Sequence, residues 1–178
     1  MNILLHICCA PCLIYPLEVL RSKDLEVTGL FYNPNIHSVL EYNERKKAIN
    51  VLNPGIEMVY PDYFPEDFFR AVNLKEEFPI RCAICWKQRL AKTAALARDK
   101  GFKYFSTTLL VSPYQDHDLL KNIGNDIAKD IGVDFYYTDF RPGYKKAREE
   151  ARLKGIYMQK YCGCIYSEQE RFKKKFNA

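Results

Sequence analysis

The sequence predicts an α/β protein whose single domain, residues 1–178, is built on an open, doubly wound and mostly parallel sheet. Short apolar runs alternate with helical patterns along the chain, and the first run is apolar almost without interruption. Such a run is typical of a strand that is buried on both faces of a parallel sheet. A hydrophobic fraction of 48% over 178 residues is enough for one ordinary core. Strands that alternate with helices around one core indicate a doubly wound sheet. This pattern leaves the order of the strands in the sheet open.

Five strands are predicted, and helical segments separate them: residues 3–7, 27–32, 56–60, 104–110 and 133–137. The second strand stops at the turn residues Asn33, Pro34 and Asn35. In an open parallel sheet, ligands bind where the strands end and the next helices begin. We therefore expect the functional site at the carboxyl edge of the strands.

Seven helices are predicted: residues 16–23, a segment from 38 onward, 66–72, 81–100, 116–131, 144–154 and a segment from 167 onward. Capping signals mark several of their ends: Ser38 with Glu41, Ser167 with Glu170, and Asp116 at N-termini, and Gly101 and Gly132 at C-termini. In the second helix, Leu40, Ala48 and Val51 are predicted to face the core.

The composition favours a cytoplasmic protein that uses thiols. The N-terminal apolar run is too short for a signal peptide, and no run approaches the roughly 18 residues of a membrane span, so no membrane partner is expected. Seven cysteines in a reducing compartment do not form a disulfide framework, and an odd number cannot pair completely. Metal or redox use is the better interpretation. The net charge of +5 favours an anionic partner without specifying it.

The cysteines fall into three groups, after the first strand, in the first turn of the long helix, and in the loop before the last helix: Cys8, Cys9 and Cys12; Cys82 and Cys85; Cys162 and Cys164. Strand C-termini and helix N-termini meet at one edge of a βαβ sheet. The predicted topology therefore brings all three groups to the same edge.

A cubane 4Fe-4S cluster takes four thiolates, which leaves three for a second role. We assign four to the cluster: Cys8, Cys9, Cys82 and Cys85. The other three would hold a mononuclear iron with an open position, or provide a redox-active pair from the last two: Cys12, Cys162 and Cys164. Since Cys9 and Cys12 have C-x-x-C spacing, Cys8 and Cys12 could exchange places.

Two other functions compete with this interpretation. Structural zinc held by Cys82, Cys85 and another pair would make the chain an RNA-binding module without catalysis, although zinc motifs normally separate their ligands, unlike Cys8 and Cys9. A thiol–disulfide oxidoreductase would use Cys162 with Cys164. A brown protein that dithionite bleaches indicates a cluster, whereas a colourless zinc protein excludes it.

Several motifs together resemble one family, the cobalamin-independent epoxyqueuosine reductases of the QueH type. They cover most of the chain: HICCAPC at 6–12, YNPNIH at 32–37, EY at 41–42 with Arg45, RCAIC at 81–85, RL at 89–90, STTLL at 106–110, SP at 112–113 and YCGC at 161–164. Ser38 departs from the proline expected after the histidine.

The resemblance implies an oxidoreductase that removes the epoxide oxygen of epoxyqueuosine in tRNA, with a 4Fe-4S cluster beside a single iron and an unidentified electron donor. It also implies a fold of the adenine nucleotide alpha hydrolase-like (HUP) group. ATP-using relatives have a glycine-rich phosphate loop after the first strand, whereas this chain has Cys-Cys-Ala-Pro-Cys. We therefore expect no use of ATP.

Candidate proton donors and tRNA contacts lie in loops and on helices. His37 is the catalytic candidate, mainly through the resemblance, with three further loop residues beside it: Tyr161, Asp116 and His117. His6, inside a strand, is expected to be a core histidine. Basic groups for tRNA are Arg45 to Lys47, Lys145, Lys146 and Arg148, and Arg171 with Lys173 to Lys175. Tyrosines that could stack a base are Tyr32, Tyr114, Tyr144 and Tyr161.

Overall fold

The structure, a computed structural model, describes residues 1–176, with side chains as far as residue 173. Five parallel strands form one sheet in the order β3-β2-β1-β4-β5. Their bounds are β1 Asn2–His6, β2 Glu26–Leu30, β3 Met58–Val59, β4 Tyr104–Thr107 and β5 Asp134–Phe135. This confirms the predicted open, doubly wound sheet. That residues 1–178 form a single domain stays a prediction.

The helices flank this sheet, and their bounds are α1 Ala10–Arg21, α2 Val39–Leu52, α3 Pro65–Val72, α4 Ile80–Asp99, α5 His117–Ile131, α6 Tyr144–Leu153 and α7 Ile165–Phe176. Helix α1 packs against α2 and α6, and α4 packs against α5. The crossovers from β1 to β2 and from β3 to β4 run in opposite directions across the sheet. Because both are right-handed, these two sets of helices cover opposite faces of the sheet. The residues Ile3, Leu4 and Leu5 of β1 are fully buried between them.

Helix α1 begins six residues before the predicted start at residue 16. Pro11 lies in its first turn, where a missing N–H costs nothing, and Pro16 is tolerated inside the helix. Buried Leu13, Leu17 and Leu20 anchor this helix to the core. The earlier start matters because it places the first cysteine group directly at the N-terminus of α1.

Helix α2 turns a different face to the core from the one predicted. Ala48 is buried as expected, but Leu40 and Val51 are 73% and 67% exposed, so these two assignments are wrong. Tyr42, Arg45 and Ile49 are buried in their place. The Glu41 carboxylate binds the Arg45 side chain, and Ser38 makes no side-chain capping bond. The predicted Ser38–Glu41 capping box is therefore wrong.

Of the other capping predictions, those for α5 are confirmed and the one for α7 is wrong. Asp116 accepts a hydrogen bond from the Leu119 N–H at 2.9 Å, and Gly132 ends α5 with a φ of 80°, as predicted. Helix α7 begins at Ile165, and the Ser167 hydroxyl donates to the Cys164 carbonyl at 2.8 Å. Ser167 is thus inside the first turn, and the predicted capping box with Glu170 is wrong.

Strand β4 is shorter than predicted because the chain tightens into a 3₁₀ turn at Thr108–Val111. The Thr107 hydroxyl accepts a hydrogen bond from the Leu109 N–H at 3.1 Å and so stabilises the turn. This turn directs Thr108 towards the end of β1. Among the helices within residues 1–176, none is both long and apolar enough to cross a bilayer.

Candidate metal centre

The site lies at the point where the sheet changes winding direction, between β1 and β4. The first cysteine group follows β1, and Thr108 follows β4. The Cys8 backbone N–H donates to the Thr108 hydroxyl oxygen at 3.1 Å, and that hydroxyl donates to Cys8 Sγ at 3.4 Å. Two halves of the fold thus meet at the first cysteine. Ligand sites of doubly wound sheets occupy this position.

The sulfur atoms of Cys8, Cys9 and Cys12 lie within 4.8 Å of one another, and we call these residues the N-terminal triad. The Cys8 and Cys9 sulfur atoms are 3.7 Å apart. Two thiolates on one tetrahedral ion, each about 2.3 Å from the metal, are about 3.8 Å apart. The N-terminal triad therefore fits three thiolate ligands of a single metal ion, with a fourth position left for another ligand.

Hydrogen bonds and burial shift the thiol pKa values of this triad in different directions. Bonds from Cys12 and Cys9 hold the pKa of Cys8 well below its usual value. Burial raises the pKa of Cys9, and the hydrogen bond to Cys8 raises that of Cys12. Of the three thiols, Cys8 is thus the one that gives up its proton most readily. A bound cation would replace the protons of the other two.

Gln159 approaches the N-terminal triad from the loop before α7. Its amide nitrogen donates to Cys9 Sγ at 2.8 Å and lies 3.9 Å from Cys12 Sγ. Neither this residue nor Thr108 is predicted by the sequence as part of the site, because a single glutamine or threonine in a loop has no spacing signal. Thr108 lies within the STTLL motif, which was the only signal available for it.

The remaining four cysteines, which we call the distal four, come from α4 and the loop before α7: Cys82, Cys85, Cys162 and Cys164. Cys85 and Cys164 are buried in one apolar cluster with Phe68 and Val72. Burial raises the pKa of Cys82 to about 11 and that of Cys85 to about 12. Negative charge on Cys162 and Cys164 raises both further, so the distal four lie within electrostatic range of one another.

The Arg45 side chain and the backbone conformation of Gly163 hold the segment 161–164 in place. The buried Arg45 guanidinium donates to the carbonyl oxygens of Cys162 and Tyr161, at 2.8 and 3.1 Å. Gly163 has a φ of 141°, and a Cβ there would lie 3.0 Å from Ile36, so this position requires glycine. Arg45 thus positions a cysteine loop, and its guanidinium is not free for the tRNA contact that the sequence suggested.

His37 is buried and also contacts the loop that carries Cys162 and Cys164. Its ring stacks on Phe69 with centroids 4.4 Å apart, Nε2 lies 3.2 Å from the Pro34 carbonyl oxygen, and Nδ1 accepts from the Ile165 N–H at 3.4 Å. Its backbone N–H donates to the Gly163 carbonyl at 2.9 Å. These contacts favour a positioning role for His37, and its predicted catalytic role stays a prediction.

A cavity of about 700 Å³ opens over the cysteines. Three of its lining residues are thiols, and six others are aromatic or basic: Cys8, Cys12 and Cys162; Tyr114, Tyr144, Tyr161, Arg148, Lys160 and Arg171. The rings of Tyr114 and Tyr144 meet edge to face with centroids 6.0 Å apart. Tyr114 is 81% exposed at the mouth. This cavity can hold a flat polar molecule with an anionic attachment.

The other predicted residues lie elsewhere. Asp116 caps α5, His117 Nε2 is 3.3 Å from the Ser112 carbonyl oxygen, and Tyr32 contributes nothing to the cavity wall within the described residues. Lys47 pairs with Glu44, and Lys146 pairs with Glu18. The side chains of Lys174 and Lys175 fall outside the described residues.

His6 is a core histidine, as predicted. It is fully buried, and its ring nitrogens contact the Thr107 hydroxyl at 2.9 Å and the Tyr32 carbonyl at 3.1 Å. Burial, aided by the charge of Arg89, lowers its pKa to about 3. His6 is therefore neutral at pH 7 and contributes no charge to the site.

The sheet and its thiols define an α/β protein with an open, five-stranded parallel sheet and a candidate metal–thiolate centre at the winding switch. The fold is similar to a crystal structure described as a predicted subunit of tRNA methyltransferase from Methanocaldococcus jannaschii, with a TM-score of 0.56 and 10% identity over 85% of this chain and 76% of that one. Residues 3–170 match the family described as Epoxyqueuosine reductase QueH. The chain belongs to this family of oxidoreductases.

Curated relatives of that name cover nearly the whole chain. The protein of Dehalococcoides mccartyi is 38% identical over 97% of this chain and 96% of its own length. That of Thermotoga maritima is 35% identical over 97% and 93%, and that of Streptococcus pyogenes is 35% identical over 93% and 70%. The family resemblance drawn from the sequence motifs is thereby confirmed.

Proposed function

We propose that this protein reduces the epoxide of epoxyqueuosine in tRNA to the alkene of queuosine. The reaction consumes two electrons and two protons and releases the epoxide oxygen as water. The cavity carries the proposal, because its lining combines three thiols with aromatic and basic side chains. An electron donor outside the chain would supply the electrons. The proposed reaction takes place in the cytoplasm, on one domain, and uses no ATP.

The cysteine positions favour a different division of the ligands from the one the sequence suggested. A single metal ion holds its thiolates close together, as in the N-terminal triad, within 4.8 Å. A cubane binds each thiolate through a different iron, so its four sulfur ligands lie farther apart. We propose that the N-terminal triad holds the mononuclear iron and the distal four hold the 4Fe-4S cluster. The sequence-based division, with Cys9 on the cluster and Cys164 on the single iron, stays the alternative.

The seven thiols fit these groups in number and chemistry, since soft thiolates are the ligands that iron–sulfur clusters use. When bound, a cluster would supply electrons singly, and an iron with an open position would supply a Lewis acid. The chain itself orients the thiols through Thr108, Gln159 and Arg45. Tyr161 is the predicted proton donor that lines the cavity, and its hydroxyl donates to the His37 carbonyl at 2.6 Å.

The aromatic and basic residues of the cavity lining suit an unstacked base in an RNA loop. Tyr114 and Tyr144 offer aromatic faces, and single-stranded RNA is commonly recognised by such stacking. Arg148, Lys160 and Arg171 lie around the same opening and can neutralise backbone phosphates. Of the basic groups suggested by the sequence, Arg148 and Arg171 are thus the proposed contacts.

The decisive experiment is anaerobic turnover of tRNA that contains epoxyqueuosine, with the product nucleosides identified by mass. The wild-type protein with reconstituted iron and a chemical reductant should form queuosine, and Cys12→Ala should form none. A parallel reaction with tRNA lacking the modified nucleoside controls for mass artefacts. A colourless protein that contains only zinc and binds tRNA without converting it would contradict the proposal and favour the RNA-binding alternative.

A further inference from the structure

Arg89 is a buried cation whose hydrogen-bonding capacity is largely unused. It lies on α4 one turn after Cys85 and is 1% exposed. Nε is 3.4 Å from the Cys85 carbonyl oxygen, and Nη1 is 3.5 Å from Asn33 Oδ1, so both contacts are long. Nη2 has no hydrogen-bond partner among the described residues. A guanidinium has five N–H donors, and most of these are unsatisfied.

Arg89 also lacks a carboxylate partner within the described part of the chain, unlike the two other buried arginines. Arg45 pairs with Glu41 at 2.7 Å, and Arg81 pairs with Glu170 at 2.6 Å. An uncompensated buried charge is strongly destabilising, so a fold that keeps one normally holds an anion nearby. His6 cannot serve as this anion, because a histidine side chain is either neutral or cationic.

The groups within range that can become anions are cysteines. Burial acts to lower the pKa of Arg89, and negative charge on Cys85, Cys162, Cys8 and Cys164 outweighs it and raises that pKa. Metal binding would make these cysteines thiolates. Cys8 belongs to the N-terminal triad, and the other three belong to the distal four. The guanidinium therefore lies within electrostatic range of both cysteine groups.

We propose that Arg89 is the fixed countercharge of the metal–thiolate centre and raises its reduction potential. This inference rests on the proposed function. Iron bound by thiolates carries net negative charge, and each added electron increases it. A cation held in a low-dielectric interior stabilises the reduced form more than the oxidised form. Arg89 thus acts as a positioning residue for electron entry, without touching substrate.

The test is the midpoint potential of the 4Fe-4S signal in an anaerobic dithionite titration followed by EPR. Arg89→Met removes the charge and keeps the side-chain length, and it should lower the equilibrium constant for reduction at least tenfold, about 59 mV for one electron. Arg89→Lys keeps the charge and should restore at least half of that shift. Arg98→Met, at the exposed end of the same helix, is the matched control and should leave the potential unchanged.

A smaller shift in the Met variant, or no restoration by lysine, overturns the proposal. Should Arg89→Met take up no iron, Arg89→Gln replaces it as the neutral variant. If both neutral variants fail to load and the Lys variant loads, charge is required and the proposal stands. If the Lys variant fails as well, Arg89 serves packing and the proposal falls. A wild-type protein that takes up no iron would instead refute the proposed function itself.

Discussion

Gln159 is the side chain that secures the Cys9 sulfur from outside the cysteine motif. Donors to thiolate ligands set ligand orientation and electron density at the metal, and they matter nearly as much as the ligands. The glutamine lies on the loop that precedes Cys162, so one short segment supplies both a ligand and a supporting contact. At this scale, the site depends on residues that no cysteine spacing reveals.

Replacing Gln159 should impair the centre without removing a ligand. Gln159→Met deletes the donor to Cys9 and keeps the volume, and we expect a loss of about 10–100-fold in iron affinity or turnover. The measurement is iron retention against a chelator, together with anaerobic turnover. Gln115→Met is the control, because Gln115 lines the same cavity and bonds through its backbone to Ser112. Equal losses in both variants would contradict the assigned role.

The buried His6 should make the stability of the metal-free protein depend on pH. Its folded pKa of about 3 lies below the ordinary value of 6.5, so the unfolded state binds the proton first. This contribution to stability is complete above about pH 6.5 and is lost as pH falls towards 3. Between pH 7 and pH 5 the wild-type protein should lose about 2 kcal/mol more than His6→Gln in urea unfolding. Parallel pH profiles would contradict this assignment.

At the scale of elements, the loop before α7 depends on α2. Arg45 turns inward from α2 and bonds the carbonyls of Cys162 and Tyr161. The sequence could not reveal this, because a charged residue in a helix is normally placed on the solvent face, and Leu40 and Val51 were assigned to the core instead. The burial of Arg45 becomes favourable only once Glu41 and the distant loop surround it. The alternation of strands and helices was predictable from the hydrophobic runs, whereas the strand order, the start of α1 and this long-range contact were not.

Asp116 should act as a helix cap and not as a proton donor. Asp116→Ala removes the bond to the Leu119 N–H, and we expect a loss of about 0.5–2 kcal/mol in unfolding free energy with turnover retained. Chemical denaturation and the anaerobic assay test the two parts. Asp126→Ala removes the same charge from the exposed middle of α5 and should change stability by less than about 0.5 kcal/mol. A collapse of turnover in Asp116→Ala would restore its catalytic candidacy.

At the scale of the whole molecule, the winding switch between β1 and β4 explains why three distant cysteine groups converge. The strand order β3-β2-β1-β4-β5 leaves a crevice above the central strands, and α1, α4 and the loop before α7 all begin or end there. The parallel sheet and this edge followed from the sequence pattern. The partition of seven thiols did not, because sulfur distances depend on loop geometry.

The basic wall of the cavity should make tRNA binding sensitive to salt. Arg148 lies on α6 beside Tyr144 and lines the cavity, so Arg148→Gln should weaken tRNA binding and reduce the slope of log K against log salt by about 1. Arg152→Gln is the control on the same helix, since Arg152 pairs with Glu149 at the exposed surface. Filter binding at several salt concentrations measures both slopes, and identical slopes would contradict the proposed tRNA surface.

The most direct test of the two-site account is the iron and acid-labile sulfide content of anaerobically reconstituted Cys9→Ala and Cys164→Ala. The wild-type protein should hold about five iron and four sulfide per chain, one cubane and one further ion. Cys9→Ala should keep the sulfide and lose about one iron, whereas Cys164→Ala should lose the sulfide. The opposite pattern, with sulfide lost from Cys9→Ala and kept in Cys164→Ala, would contradict the proposed partition.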